Sequence, residues 1–163
     1  MSHQPPNEEK TVRAFEPSDE SALVHVWQRA GAAAYADWTT PFTLEQTAAA
    51  FRRSVLGRCR IWVGKTGEEV VAFIALAGSS IERLYVDPGH WRQGWGTRLV
   101  ERAKQICPRG LDVDTDADSE AACGVYERCG FRAVRYYAGD PGDSARSVTY
   151  EWKPHTSASG TYC

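Results

Sequence analysis

The stretch Ile81–Val100, IERLYVDPGHWRQGWGTRLV, restricts the fold of this chain more than any other. Ile81–Val86 is rich in β-branched and aromatic residues and stops at Asp87-Pro88-Gly89, so it reads as a strand ended by a turn. A short loop then carries Gly94 and Gly96. Leu99, Val100, Ala103 and Ile106 recur at helical spacing, which predicts a helix over Thr97–Cys107. Strand, glycine loop and helix in direct succession across residues 81–106 suit the binding of an anion. Glycine lets the backbone turn its N–H groups toward one point, and a helix N-terminus adds unpaired donors with a partial positive charge. Arg92 and Arg98 flank the loop within reach of phosphate oxygens. Taken alone, the G-x-G would equally serve a plain β–α turn. Its spacing is neither G-x-G-x-x-G nor G-x-x-x-x-G-K-[ST], so the dinucleotide and Walker patterns gain no support.

The rest of the chain fits around this unit. Thr11–Phe15 alternates as a strand, and Pro17-Ser18-Asp19 opens a helix to about Ala34 with Leu23, Val26 and Trp27 on one face. A second helix is predicted over Thr43–Leu56, with Thr43 as N-cap and Gln46 completing a capping box. Arg60–Lys65 and Val70–Ala77 read as strands joined at Thr66-Gly67-Glu68, and Leu111–Asp114 as a short strand before an acidic stretch. Ala121–Cys129 reads as a helix closed by Gly130. Phe131–Tyr137 and Ser147–Trp152 are strands joined by the Gly/Asp/Pro loop 139–143. The order is βααβββαβαββ, a mixed α/β sheet rather than a doubly wound one. Residues 1–9 read as a disordered leader and 154–163 as a flexible polar tail, leaving one domain over 10–153.

Composition excludes several classes. A net charge of −2 and a pI near 6.1 give no whole-chain attraction for nucleic acid or an anionic membrane. Arg92, Arg98, Arg102 and Lys104 read instead as a phosphate-site rim and a solvated helix face. No apolar run approaches the roughly 20 residues of a membrane helix, and the polar N-terminus is no secretory signal. Cysteines 59, 107, 123, 129 and 163 form no C-x-x-C pair, and His3, His25, His90 and His155 stand at no ligand spacing. No metal is therefore expected, and free thiols in a reducing cytoplasm are. Cys123 and Cys129 read as packing residues.

Two stretches together carry a resemblance. Leu84-Tyr-Val-Asp-Pro88 followed by Arg92-Gln-Gly-Trp-Gly-Thr-Arg-Leu99 resembles the acetyl-CoA motif of the GCN5-related N-acetyltransferase (GNAT) superfamily. Val125-Tyr-Glu-Arg-Cys-Gly-Phe131 resembles its second signature, and the likeness extends over about residues 11–153. It implies a mixed, mainly antiparallel central sheet flanked by helices, with acetyl-CoA as co-substrate and direct attack by an amine in a ternary complex. Carried over by motif, the backbone of Leu84, Tyr85 and Val86 pairs with pantetheine and polarises the thioester carbonyl. Arg92, Gln93, Gly94, Trp95, Gly96 and Thr97 hold the pyrophosphate, and Tyr126 contacts the cofactor and protonates the departing thiolate. The chain departs from the pattern twice. Trp91 stands where Gln or Arg is usual, removing one polar contact. Ser119 stands where Asn is frequent, and either replaces its hydrogen bond or caps the helix with Asp118. Gly124, inside a helix, marks either close packing or a weak helix.

An alkylammonium must lose a proton before it attacks. Glu82, on the motif strand, is the first candidate for that base, although a solvated or Arg83-paired carboxylate fits it equally. Glu45, Asp37, His90, Tyr35 or a water chain are the alternatives. The connection after the first helix contributes Tyr35, Trp38 and Phe42 to an acceptor pocket, with Tyr136 and Tyr137 from the last hairpin, or else these rings serve the core. Aromatic walls beside a carboxylate suit a cationic amine. The acceptor expected is the primary amine of a small molecule. A peptide N-terminus or lysine is the alternative, and a CoA-binding regulatory module without catalysis is the reading from another class. Many relatives are dimers, and the sequence leaves a homodimer open.

Overall fold

A computed structural model of the chain describes residues 9–34, 42–138 and 146–155. The sheet begins with β1 (Lys10–Ala14), and a 3₁₀ turn at Pro17–Asp19 leads into α1 (Glu20–Ala34). Asp19 closes that turn: it accepts from the Glu16 N–H at 2.8 Å and pairs with Arg13 at 2.7 Å, which together hold its carboxyl below the usual range despite burial. The helix α2 (Leu44–Ser54) starts on the expected capping box, Thr43 Oγ1 accepting from Gln46 N–H at 3.1 Å and Gln46 Oε1 from Thr43 N–H at 2.9 Å. Then come β2 (Arg60–Thr66), β3 (Glu69–Ala77) and β4 (Ser80–Val86), followed by α3 (Trp95–Ile106), β5 (Leu111–Asp116), α4 (Glu120–Arg128), β6 (Arg132–Ala138) and β7 (Arg146–Trp152). Among the described residues the order βααβββαβαββ is the expected one.

Seven strands form one sheet in the order β1-β2-β3-β4-β5-β7-β6, antiparallel throughout except between β4 and β5. α1 and α2 cover one face, burying Leu23, Val26, Phe51 and Val55 against Val63, Phe73 and Ala75. α3 and α4 cover the other, where Trp95, Leu99, Val100 and Tyr126 meet Ala72, Ile74, Leu76, Val113 and Tyr150. β3, the central strand, has apolar neighbours on both faces and is buried from Val71 to Leu76.

Most boundaries shift by a residue or two from expectation, and three of the differences have a clear physical reason. α3 begins at Trp95 and not Thr97, because Gly94 takes a left-handed φ of 81° as its N-cap and brings Trp95 and Gly96 into the first turn. β5 runs through Asp116, since its antiparallel pairing with β7 continues to Asp116↔Ser147. Glu9 belongs to the fold rather than to a leader, its carbonyl accepting from Gly67 N–H at 3.3 Å. The remainder of the leader, the loop 139–143 and most of the tail lie outside the described residues.

Candidate active site

The site starts from an interruption of the sheet. β4 pairs with β5 at Ser80↔Asp112 and Ile81↔Val113 only, after which the two parallel strands separate. On its other side β4 stays paired with β3 as far as Val86↔Ala72. Asp87 N–H donates to Val71 carbonyl at 2.8 Å, so the alternation of an antiparallel ladder turns the N–H and C=O of Leu84 and Val86 away from β3. These groups line the free edge that faces the gap. The phase depends on a bulge: the β3–β4 register passes from Leu76↔Ile81 to Ala75↔Arg83 and leaves Glu82 unpaired. Without that extra residue, a different pair of backbone groups would face the gap.

The end of the gap is closed by the loop from β4 to α3. Asp87 is buried, accepts from Gly89 N–H at 2.9 Å and pairs with Arg29 of α1 at 3.1 Å, tying the turn to the opposite layer. Trp91 donates from Nε1 to the Val86 carbonyl at 2.7 Å. Arg92 then takes a φ of 62°, uncommon for a residue with a Cβ, and Gly94 follows at 81°. Lys10 Nζ donates to the Gln93 carbonyl at 2.9 Å. The first turn of α3 thus faces outward with Lys10, Arg92 and Arg98 around it, an arrangement fit for a diphosphate.

The α3 residues divide their work. Trp95 is 1% exposed, its ring lying on Gly64 of β2, so only its backbone is available to a ligand. Close packing falls at Gly96: a Cβ there would stand 3.3 Å from both γ-carbons of Val125, where α3 meets α4. At Gly124 the nearest neighbour is the Arg128 side chain of the same helix. Thr97 lies near enough to the Cys129 thiol to act on it. The expected solvated face is partly used, since Arg98 reaches the Lys10 carbonyl at 3.4 Å and Arg102 that of Val12 at 3.5 Å. Lys104 donates to the Cys129 carbonyl at 2.6 Å. Among the described residues Cys59, Cys107, Cys123 and Cys129 are free, and no group of potential metal ligands gathers.

Tyr126 lies on α4, 5% exposed, its ring 5.4 Å from Phe131 and 6.1 Å from Tyr150. Burial pushes its hydroxyl pKa well up, with Cys129, Cys123 and Tyr85 near enough to add to the effect, so it keeps its proton across the neutral range. Ser119 caps α4 alone, accepting from Ala122 N–H at 3.3 Å, while Asp118 pairs with Arg146 at 2.8 Å instead.

Glu82 is exposed, and its charge acts on the partly buried Cys59 thiol on the α1/α2 face. Arg83 does not pair with its carboxylate. The guanidinium donates to the Glu82 carbonyl at 2.8 Å and lies 5.3 Å above the Trp27 ring. Trp27 stacks on Tyr85 at 5.5 Å, with Phe73 5.7 Å from Tyr85, an aromatic wall on the α1 face of β4. Trp27 shares one face of α1 with Leu23 and Val26, as expected, but no local pattern in the sequence links it to Tyr85. Phe42 is 73% exposed, ahead of α2, and Tyr136 and Tyr137 lie on the exposed edge strand β6. His90 ends the 3₁₀ turn before Trp91, and Glu45 is exposed in the first turn of α2. Tyr35, Asp37 and Trp38 lie outside the described residues.

Comparison with known proteins agrees with this layout. Residues 21–131 match the Acetyltransferase (GNAT) family. The peptidyl-lysine N-acetyltransferase YjaB of Salmonella typhimurium is 28% identical over 126 residues, 76% of this chain and 83% of its own length. The solution structure of apo-form YjaB from Escherichia coli has a TM-score of 0.67 at 25% identity, over 88% of this chain and 97% of that one. YncA of Salmonella typhimurium, solved with its cofactor acetyl-CoA, has a TM-score of 0.68 at 16% identity, over 94% of this chain and 99% of that one. The last likeness is one of fold.

Proposed function

Since the chain belongs to the GNAT family of acyl-CoA-dependent N-acetyltransferases, we propose that it acetylates the primary amine of a cationic acceptor, a lysine side chain of a peptide before a free small molecule. The observation that carries the reading is the edge of β4 at Leu84 and Val86, left by β5 and occupied only at the Val86 carbonyl by Trp91, beside the outward-facing first turn of α3. Pantetheine adds to that edge as a short strand, and the diphosphate lies against residues 93–97 with Arg92 beside it. Ser119, already used as a cap, keeps one lone pair for the cofactor.

The amine enters from the α1/α2 face, where Trp27, Tyr85 and Glu82 stand, with Phe42 just ahead of α2. Glu82, directly or through water, removes the ammonium proton. The amine nitrogen attacks the thioester carbon, a C–N bond forms, and the carbonyl oxygen leans on backbone N–H groups of β4. The C–S bond breaks, Tyr126 gives its proton to the departing thiolate from the α3/α4 face, and the second proton of the attacking nitrogen passes through water to solvent, from which Tyr126 is reprotonated. Acid and base therefore work from opposite faces of the gap. A peptide is favoured by the acidic residues of β5, described below, and by the kinship with a peptidyl-lysine acetyltransferase. A small amine is the second reading, supported by the Trp27–Tyr85 wall. Release of free thiol from acetyl-CoA, measured against lysine peptides, polyamines, amino acids and aminoglycosides, tests the proposal. Release with small amines alone would reverse the order of the two readings, and none anywhere would sink both.

A further inference from the structure

Trp91 occupies the loop position where the superfamily's pattern has a polar side chain, yet its indole is engaged. The Nε1–H donates to the Val86 carbonyl at 2.7 Å, on the edge of β4 that faces the gap. That bond joins the loop to the end of β4. The residues between this anchor and α3 need it, because Arg92 holds a left-handed φ of 62° and Gly94 one of 81°. A left-handed non-glycine residue persists only where its surroundings over-determine it. Two bonds do so here: Trp91 to Val86 on one flank, and Lys10 Nζ to the Gln93 carbonyl on the other. With Gln93 O held by Lys10, the N–H groups at the start of α3 are left to face outward.

We propose that Trp91 is a positioning residue for the diphosphate: its indole fixes the loop in its bound shape by binding this chain's own backbone, where a polar side chain would have bound the ligand. The inference rests on the reading of this loop as the acetyl-CoA site. It separates the two ends of the co-substrate. Loop order matters to the diphosphate, while pantetheine pairing uses Leu84 and the remaining groups of Val86, which the β3–β4 ladder holds in place.

The test compares acetyl-CoA with S-acetyl-pantetheine, which has the same thioester and arm but no diphosphate. Trp91→Phe keeps an aromatic ring on this 46% exposed side chain and removes the donor. Its KM for acetyl-CoA is expected to rise about fivefold, the scale of one lost hydrogen bond, with kcat within about twofold of the parent. Its KM for S-acetyl-pantetheine stays unchanged. Trp91→His retains a ring N–H and is expected to recover part of the loss. Equal changes with both co-substrates, no change in either KM, or a fall confined to kcat would overturn the positioning role. Calorimetry of the parent protein with CoA separates that outcome from failure of the site itself, since a misplaced site gives no binding heat in either protein.

Discussion

At the scale of single residues, Tyr126 bears the sharpest consequence. Its ring packs beside Phe131 and Tyr150, and its hydroxyl, with Cys129, Cys123 and Tyr85 near it, is held protonated by burial. A general acid must be protonated when the thiolate leaves, and Tyr126 meets that condition at any neutral pH. Tyr126→Phe keeps the packing, and we expect kcat to fall by about 10²-fold with little change in KM for acetyl-CoA. Unchanged turnover at saturating substrates would make Tyr126 a packing residue. The same burial links stability to pH. Tyr150, bonded to Glu127 Oε1 at 2.8 Å, also has its pKa raised, chiefly by burial. Both phenols keep their protons in the folded chain at pH values where the unfolded chain loses them. Their contribution is complete below the unfolded pKa of about 10 and is lost as pH rises beyond it. Urea midpoints measured between pH 8 and 11 should fall at the alkaline end, less steeply in Tyr126→Phe. A flat profile would contradict the shifts.

Among elements, the contact that sets the cofactor loop is α3 on β2. A Cβ on Gly64 would lie 2.7 Å and 2.8 Å from two ring atoms of Trp95, a side chain 1% exposed and flanked by the Lys10 and Arg98 cations at 5.7 Å and 5.8 Å. Gly64→Ala must therefore push the first turn of α3 off the sheet. We expect a loss of about 1–3 kcal/mol in urea unfolding, together with weaker CoA binding by calorimetry. An alanine variant as stable as the parent would show that α3 is not seated by this contact. Gly64 also marks how far the sequence could be read. Its place inside a strand signals a close approach of something, but not that the partner is the distant Trp95 of α3. Local signals, by contrast, located the Thr43–Gln46 capping box and the Gly130 cap of α4. The bulge at Glu82 had no local signal, since it arises from pairing β4 with β3 at one end and β5 at the other. The strand, glycine loop and helix of β4 and α3 were thus legible as motifs, while the Trp91–Val86 bond and the Trp27–Tyr85 wall depend on elements that meet only in the folded sheet.

For the whole molecule, the sheet sorts charge that cancels in the sum. Lys10, Arg92 and Arg98 gather at the loop from β4 to α3. On β5, Leu111 and Val113 face α3 and α4, so alternation places Asp112, Asp114 and Asp116 on the opposite face, the one α1 and α2 share. Those helices lie over β2, β3 and β4, and the acidic row continues that face beyond them, joined by Glu151 of β7 and countered by Arg132 and Arg135 of β6. Asp112 is engaged with Ser80 and Asp116 with the N–H of Asp118, whereas Asp114 is exposed and bonds the Thr149 hydroxyl. A polycationic peptide whose lysine enters the gap beside Glu82 would extend over this face, and an uncharged small amine would not. Asp114→Lys reverses one exposed charge without touching the gap, and at about 8 Å in water a reversal is worth about 1 kcal/mol. We therefore expect KM for a basic lysine peptide to rise roughly fivefold at low salt, and this excess to shrink as salt shortens the Debye length. KM for acetyl-CoA, whose phosphates the proposed function assigns to the loop before α3, should not move. A variant that treats peptide and neutral amine alike at low salt would place the acceptor elsewhere, and the charge division of the sheet would then serve solubility alone.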